Sequence, residues 1–465
     1  MARLLLRNIH TLVTMVDGEE PLHGVDLLAV DGKVGEIGRD LRPAPGDDLR
    51  VLDGSWRVVY PGFVNTHHHL YQTLTRNIPR VHSVKLFDWL VNLYEVWREL
   101  TPEAVEISTK VGIGELLLSG CTTTSDHLYL VPTGMERELH DVEIDTALAM
   151  GVRFHPSRGS MSRGRSCGGL PPDDVVQTPD EIMRDSERLI AKYHDPAPFA
   201  MCRIVLAPCS PFSVTTDLLE ETARLARSKG VFLHTHLAET LDEETFCHEA
   251  HGLRPLAYME KAGWVGPDVW FAHGVWFNDD EIRWLAETGT GVAHCPGSNL
   301  RLGSGIARVP RLLRAGVRVG LGVDGSASND SSNFVREMQL ALLVHRVGTG
   351  VEAMPPRDVL TMATVGGASL LGRPEIGRLR PGGAADMAVF RLDRIDYAGA
   401  MRDPASAILF CGAGPRADAT IVAGRVLVEN GRLVGHDEEA IFHKANETAE
   451  AMLRRAEEKL GVSYG

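Results

Sequence analysis

From residue 58 onward, short apolar runs that predict strands alternate with helical stretches over roughly 300 residues. The predicted strands, in chain order, are residues 58–64, 122–126, 152–157, 202–207, 231–236, 269–273, 291–294 and 317–324. One strand followed by one helix, repeated eight times, is the pattern of an α/β protein with a TIM-like (β/α)8 barrel. A doubly wound sheet is the alternative, but the regular spacing of the units favours closure of the sheet.

The two ends of the chain follow a different pattern, in which short apolar runs are separated by glycine-containing turns. The predicted strands there are residues 4–9, 12–16, 26–30 and 33–37 near the start, and residues 385–390, 419–422 and 425–429 near the end. We therefore predict a small β-sandwich domain built by residues 1–57 and 374–465, with a barrel domain of residues 58–373 inserted into it. Residues 438–460 are rich in alanine, glutamate and arginine and predict a helix.

Charge and composition argue against several classes of partner. The formal net charge of −14 is unlike that of a nucleic-acid-binding protein, which would carry a basic stripe. No apolar run of about 18 residues is present, so we expect no membrane span, and residues 1–6 become polar too quickly for a signal peptide. The seven cysteines are scattered without a CxxC pair, which predicts reduced thiols in a cytoplasmic protein.

Residues that can bind metal or move protons collect at the predicted strand ends. Strand 1 runs into three histidines, and in an extended chain His67 and His69 point to one face while His68 points to the other. Strands 5, 6 and 8 are followed by further residues of this kind: His234, His236, Glu239, His273 and Asp324. Functional residues of a barrel gather at the carboxyl ends of its strands, so this agreement favours one metal site over scattered core histidines.

These motifs resemble the amidohydrolase superfamily over essentially the whole chain. The resemblance is carried by PGFVNTHHH at 61–69, HTHLAE at 234–239, WFAHGVW at 270–276, GLGVDGSASND at 320–330 and GRLRPG at 377–382. It implies a hydrolase in which one divalent metal ion is bound by His67, His69, His236 and Asp324. The family spacing HxxE selects His236 as the ligand on strand 5, so His234 is expected to support the site and His68 to pack outside it.

The same resemblance implies catalytic roles for Glu239, His273 and Asp324. A metal ion with such ligands lowers the pKa of a water molecule from ~16 to about 7, and Asp324 can accept its proton. Glu239 is expected to protonate a ring nitrogen and then pass the proton to the leaving group, as a general acid and base. His273 would orient the water or stabilise the tetrahedral centre, so that an amino-bearing ring carbon becomes a carbonyl and ammonia leaves.

The residue types at the predicted strand ends indicate how many metal ions are bound and which metal they are. Binuclear members of the superfamily carry a carboxylated lysine at the end of strand 4, and residues 203–209 contain no lysine. This favours a single ion. Three imidazoles and a carboxylate suit Zn²⁺, which we expect, although Fe²⁺ would also suit them.

The residues after strand 1 bear on the substrate. Gln72 follows His69 by three residues, and guanine deaminases of the superfamily carry glutamine at this offset, where its donor and acceptor suit a lactam. The alternative is a surface glutamine at the start of a loop. Residues 86–97, 116–130, 154–164 and 207–214 resemble the 8-oxoguanine deaminases of the superfamily in particular. That resemblance implies four further pocket residues, each of which could instead be structural: Trp89, His127, Arg158 and Cys209.

The resemblance implies a small heterocyclic substrate, most specifically 8-oxoguanine, which would yield urate and ammonia. Related enzymes act on isoxanthopterin, guanine, cytosine or hydroxylated triazines, in the last case as aminohydrolases or chlorohydrolases, so these remain alternatives. A homo-oligomer such as a dimer is also implied. A barrel that has become a non-catalytic assembly protein would be expected to lack metal ligands, all of which are present here. The GxGxxG match at Gly320, Gly322 and Gly325 lies inside a strand and does not predict a dinucleotide site.

Overall fold

The computed structural model describes residues 3–44, 46, 48–135 and 138–465, and its centre is a closed barrel of eight parallel strands. In chain order these strands are β1 (Phe63–Asn65), β2 (Cys121–Leu128), β3 (Arg153–Ser160), β4 (Val205–Pro208), β5 (Phe232–Leu237), β6 (Val269–His273), β7 (Gly291–His294) and β8 (Val319–Leu321). Each strand pairs with its neighbours in sequence, and β8 pairs with β1 to close the ring. The predicted barrel is confirmed.

Helices connect the barrel strands and cover the outside of the barrel. The helix bounds are Leu86–Trp97, Pro102–Leu118, Leu139–Met150, Pro179–Tyr193, Thr216–Lys229, Leu241–His251, Pro255–Lys261, Asp279–Thr288, Pro296–Arg301, Val309–Ala315, Ser326–Asn329, Phe334–Val344, Pro356–Thr361 and Gly367–Leu370. Helix Pro102–Leu118 begins as its sequence predicts, because the Thr101 hydroxyl accepts a hydrogen bond from the backbone N–H of Ala104. None of the described helices combines the length and apolar character that crossing a lipid bilayer requires.

The two chain ends build two further sheets. One contains, in spatial order, Lys33–Gly38, Val25–Val30, Arg3–Ile9 and Leu49–Asp53, and the other contains Thr11–Leu12, Arg57–Pro61, Met387–Arg391, Ala419–Val422, Arg425–Glu429 and Arg432–Leu433. Apolar side chains of both sheets share one core, in which Leu6 and Leu27 lie with Met387 and Ile421. This is the predicted sandwich of both chain ends, and Glu438–Leu460 is a helix as predicted. The exact domain boundaries stay a prediction.

The structure differs from the sequence prediction at the first barrel strand. Residues 58–64 were predicted as one strand, but Arg57–Pro61 pairs with Met387–Arg391 in the six-stranded sheet, and only Phe63–Asn65 belongs to the barrel. The chain changes sheets at Gly62, whose N–H donates to the Asp386 carbonyl 2.8 Å away. The apolar run is continuous because both halves are buried, although in different sheets.

We expect Gly62→Ala to destabilise the protein by about 1–3 kcal/mol, because an added methyl group overpacks a closed junction. A Cβ atom at this position would lie 2.0 Å from Thr122 Oγ1 and 2.3 Å from Thr122 Cγ2. Urea unfolding measures the change in the free energy of unfolding. Gly465→Ala is the control, since a Cβ atom there meets open space. An unchanged urea midpoint for Gly62→Ala would contradict the close packing at this junction.

Candidate active site

Side chains from four barrel strand ends meet in one cluster at the carboxyl end of the barrel. Its members are His67, His69, His236, Glu239, His273 and Asp324. All of them are buried except His236, which is half-buried. The two-residue strand Asp324–Gly325 pairs with His68–His69, and this short ladder brings the end of β8 against the end of β1. The sequence-predicted ligand and catalytic residues are therefore neighbours in space.

The nitrogen and oxygen atoms that face each other in this cluster are closely spaced. Asp324 Oδ1 lies 3.2 Å from His67 Nε2 and 3.3 Å from His69 Nε2. His69 Nε2 and His236 Nε2 are 3.0 Å apart. Ligand atoms of His67, His236, His273 and Asp324 all lie within 4.8 Å of one another, a spacing that can surround a single ion.

Hydrogen bonds on the far side of two rings decide which nitrogen carries the proton. His69 Nδ1 lies 2.7 Å from the His127 carbonyl oxygen, and His236 Nδ1 lies 2.6 Å from the Cys209 carbonyl oxygen. A carbonyl oxygen only accepts, so both Nδ1 atoms donate and the neutral rings present Nε2 lone pairs. Two acceptors 3.0 Å apart cannot hydrogen-bond each other. A cation between them satisfies both.

His67 is oriented by a relay of the same kind. His234 Nδ1 donates to the Trp270 carbonyl oxygen at 2.9 Å, so His234 Nε2 accepts from His67 Nδ1 at 2.8 Å. This leaves the His67 Nε2 lone pair directed at Asp324. Among the residues that the structure describes, this buried atom has no hydrogen-bond partner. The donor set therefore fits a divalent metal, and His234 occupies the supporting position that the sequence predicts.

We expect His234→Phe to lower metal affinity by about 10- to 100-fold, the usual effect of removing a partner that orients a ligand. Phenylalanine keeps a ring beside Trp270, whose ring stacks on His234 at 4.5 Å, but it cannot accept from His67 Nδ1. Equilibrium competition against a chelator measures the affinity. His248→Phe serves as the control because His248 is exposed. Equal affinities in the two variants would show that the relay does not orient His67.

The pKa shifts of the predicted ligand histidines favour the neutral, metal-binding imidazole at two of the three positions. Burial holds the pKa of His67 well below its usual range and lowers that of His236 to about 3, so both rings are neutral near pH 7. Burial opposes protonation of His69, but the hydrogen bond and the charge of Asp324, together with Asp126 and the His127 carbonyl, raise its pKa overall. Because a metal ion binds only the neutral imidazole, the raised pKa of His69 makes metal affinity fall as the pH is lowered.

Glu239 and His273 lie beside the predicted ligand residues. His273 Nε2 is 3.6 Å from Glu239 Oε2 and 3.8 Å from Asp324 Oδ2. His273 Nδ1 is fixed by Asn299 Oδ1 at 3.0 Å, and the Ser304 hydroxyl donates to Glu239 Oε1 at 3.4 Å. Burial raises the pKa of the Glu239 carboxyl, which favours the protonated form that a general acid needs.

The backbone that presents these side chains is held in a costly conformation. Ala238, His273 and Asp324 have φ angles of 54°, 73° and 62°, and such left-handed geometry costs a non-glycine residue about 1–3 kcal/mol. The buried Glu243 carboxylate stabilises one of these turns by accepting from the N–H groups of Ala238 and Glu239 at 2.9 and 3.1 Å. Glu243 therefore fixes the backbone of the proposed general acid.

A narrow cavity opens on the cluster. Its lining includes His69, Gln72, Leu86, Trp89, Leu90, Tyr94, Tyr129, Cys209, Ser210, Phe212, His236, Glu239, His273, Leu302 and Asp324. Three of the five residues that the sequence suggested for substrate binding are thus brought to the cavity: Gln72, Trp89 and Cys209. The wall is mainly apolar and aromatic, as expected for a planar ring.

The other two suggested residues do not reach the cavity lining. The buried guanidinium of Arg158 forms an ion pair with Asp185 at 2.7 Å and donates to Gln177 at 2.8 Å. His127 stacks on His236 with ring centroids 4.9 Å apart, and its Nε2 donates to the Ala207 carbonyl oxygen. Arg158 thus supports the fold behind β3, and His127 supports a ligand ring. Neither is among the residues that line the cavity, and their roles toward the substrate stay a prediction.

Sequence reasoning missed several residues that contact the cluster or cavity, among them Tyr94, Glu243, Asn299 and Ser304. Asn299 and Ser304 follow β7, a strand end that carries no metal-binding motif. Their position after a barrel strand was an available signal, since every such end faces the same side. Tyr94 was hidden because its helical spacing is also that of a packing residue.

The fold and this cluster define a barrel hydrolase with a metal site. Residues 58–427 match the model of the amidohydrolase family, and the chain belongs to that family, whose members are metal-dependent. It is accordingly an enzyme that hydrolyses C–N bonds other than peptide bonds in heterocycles.

Similar proteins over the whole length are deaminases and related hydrolases. The chain is 48% identical to an 8-oxoguanine deaminase of Pseudomonas aeruginosa, over 97% of this chain and 100% of the relative. It is 40% identical to a hydroxydechloroatrazine ethylaminohydrolase of Pseudomonas sp. strain ADP, over 96% of this chain and 95% of the relative. A solved structure of an atrazine chlorohydrolase from Arthrobacter aurescens TC1, complexed with zinc, superposes with a TM-score of 0.91 at 36% identity. That comparison covers 96% of this chain and 100% of the other.

Proposed function

We propose that the enzyme deaminates 8-oxoguanine to urate and ammonia. The observation that carries the reaction type is the cavity that ends on His69, His236 and the Asp324 carboxylate, with Glu239 and His273 beside them. The similarity to an 8-oxoguanine deaminase at 48% identity over 97% of this chain supports this particular substrate.

His67, His69, His236 and Asp324 would bind the metal, for which we propose a single Zn²⁺. When bound, the metal supplies Lewis-acid activation of a water molecule. Asp324 Oδ2 holds the proton removed from that water, and the Ser328 hydroxyl 3.3 Å away can donate to the same oxygen. His273 Nδ1 donates to Asn299 Oδ1, so its Nε2 lone pair, which lies between Asp324 and Glu239, can accept from the attacking water and orient it.

Glu239 carries protons to the substrate during the reaction. Its protonated carboxyl first donates to a ring nitrogen adjacent to the amino-bearing carbon, which makes that carbon more electrophilic. The new C–O bond forms, and the Glu239 carboxylate takes the proton held by Asp324 and passes it to the amino nitrogen, so that the C–N bond breaks and ammonia leaves. The hydroxyl proton on the attacked carbon then moves to Glu239 as the carbonyl forms, which restores the protonated carboxyl. Water, 8-oxoguanine, urate and ammonia then balance. Ser304 keeps Glu239 aimed at this position through its hydrogen bond to Oε1.

Gln72 is the residue that we assign to the lactam edge of the ring. Its carboxamide packs against the backbone beside Asp324, since a Cβ atom at Gly325 would lie 1.8 Å from Gln72 Oε1. The amide offers one acceptor and two donors, which complement the N–H and C=O groups of a lactam. Trp89 and Cys209 also line the cavity and would contact the ring of the substrate.

A second candidate function is hydrolysis of another heterocycle, such as isoxanthopterin, guanine, cytosine or a hydroxylated triazine. The apolar residues Leu86, Leu90 and Phe212 favour planar rings in general and would accommodate these compounds as well. The likeness to an ethylaminohydrolase and to a chlorohydrolase supports this candidate.

Ammonia release from a panel of these bases by the zinc-loaded protein separates the candidates. We expect the highest kcat/KM with 8-oxoguanine, and urate as the product identified by mass spectrometry. A higher kcat/KM with another base would replace the proposed substrate, and no ammonia from any base would refute deamination.

Three further proposals concern the state of the enzyme. We propose one metal ion per chain, and elemental analysis that finds two would contradict it. We propose a homo-oligomer, which sedimentation equilibrium tests, and a cytoplasmic location, which fractionation of the source cells tests.

A further inference from the structure

Three buried polar atoms on the cavity wall have no hydrogen-bond partner among the described residues. They are Gln72 Oε1, Trp89 Nε1 and Tyr94 Oη, on side chains that are 1%, 3% and 0% exposed. Buried polar groups in proteins are nearly always paired, because leaving one unpaired is costly. Three such atoms around one cavity therefore indicate groups that pair with a ligand.

The three atoms come from two different segments of the chain. Gln72 packs against Gly325, next to Asp324, and so belongs to the catalytic end of the cavity. Trp89 and Tyr94 come from helix Leu86–Trp97, which contributes no side chain to the ligand cluster. The cavity therefore has one unpaired polar group on the segment that follows β1 and two on helix Leu86–Trp97.

The helix wall is rigid, so its polar groups are held in place before a ligand binds. The rings of Trp89 and Tyr94 both pack on Trp97, with centroids 5.4 and 5.9 Å from it. Trp97 is itself fixed, because its Nε1–H donates to Thr75 Oγ1 at 3.0 Å. A donor fixed in this way binds a complementary acceptor with little further loss of side-chain freedom.

We infer that Trp89 Nε1–H and the Tyr94 hydroxyl form a donor pair for a carbonyl oxygen on the far ring of the substrate, and thereby select 8-oxopurines over guanine. The inference rests on the proposed function. When the amino-bearing C2 of a purine faces the catalytic cluster, C8 lies at the opposite end of the molecule. 8-Oxoguanine carries a carbonyl oxygen there, whereas guanine carries C–H and would leave both donors buried and unpaired.

Such an arrangement discriminates strongly between two bases of nearly equal size. A site built to hydrogen-bond a polar group rejects the analogue that lacks it, because the protein groups stay unsatisfied. The Tyr94 hydroxyl can also accept, so it suits the N7–H of 8-oxoguanine, which carries N–H at both N7 and N9, whereas guanine has only one of the two. Isoxanthopterin, with a carbonyl on its second ring, would satisfy the same pair.

The test measures binding separately from turnover. In a Glu239→Gln background, equilibrium dialysis gives the dissociation constants of 8-oxoguanine and guanine with and without Tyr94→Phe. We expect the background to prefer 8-oxoguanine, and Tyr94→Phe to reduce that preference about tenfold, the value of roughly one hydrogen bond, by weakening 8-oxoguanine alone. Trp89→Phe, which removes the other donor, is expected to shift the same ratio.

The matched control is Tyr397→Phe. Tyr397 is buried, and its hydroxyl also lacks a partner among the described residues, but it does not line the cavity. We expect no change in the ratio. A background without preference for 8-oxoguanine, or an unchanged ratio in both the Tyr94 and Trp89 variants, would overturn the inference. Failure of the proposed function is a different result, namely no ammonia from 8-oxoguanine with the wild-type enzyme.

Discussion

Replacing Glu239 with glutamine is expected to lower kcat/KM by about 10²- to 10⁴-fold, the usual contribution of a general acid and base. Glutamine keeps the shape of the side chain and can still accept from the Ser304 hydroxyl. It cannot deliver a proton to the ring nitrogen or carry one to the leaving amino group. Steady-state ammonia release measures the loss, which corresponds directly to lost transition-state stabilisation.

The same variant should keep its metal, and this separates a proton-transfer role from a ligand role. Glu239 is not among the grouped residues whose ligand atoms lie within 4.8 Å of one another. Elemental analysis of Glu239→Gln is therefore expected to match the wild type. Glu249→Gln is the control on the same segment, because Glu249 is exposed and should change neither activity nor metal content. Activity of Glu239→Gln within tenfold of wild type would exclude the proton-shuttle role.

The barrel could be predicted because its strands are buried, and buried strands appear in the sequence as short apolar runs at regular spacing. The predicted bounds of β6 and β7 match Val269–His273 and Gly291–His294. The first strand could not be divided correctly in the same way. Its break depends on a hydrogen bond from Gly62 to the distant Asp386 carbonyl, and an apolar run carries no record of which sheet buries each half.

In the candidate site, too, some residues could be predicted from the sequence and others could not. The ligand residues could be predicted because they stand at strand ends, where topology alone brings them together. Arg158 also stands in β3, but Asp185 on a neighbouring helix pairs with it, and nothing local in the sequence announces that contact. The tautomers of His67 and His69 likewise depend on partners, namely His234 and the His127 carbonyl, that only the closed barrel supplies.

Removing one ligand tests the metal site itself. We expect His236→Ala to lose the metal, with affinity reduced by more than the 10- to 100-fold predicted for an orienting partner such as His234. His236 Nε2 faces His69 Nε2 at 3.0 Å, so its loss removes one of the lone pairs that a cation would satisfy. Elemental analysis after dialysis gives the occupancy, and exposed His248→Ala is the control.

Thermal unfolding with and without chelator distinguishes metal loss from simple damage to the fold. A ligand that binds only the native state raises stability by RT ln(1 + [L]/Kd), so chelation should lower the Tm of the wild type. His236→Ala has no bound metal to lose, and we expect its Tm to be the same with and without chelator. A variant that keeps full occupancy and a chelator-sensitive Tm would show that His236 is not a ligand. The cluster would then need its fourth donor from elsewhere, and His127, which shares a grouping of ligand atoms with His67 and His69, would be the residue to test next.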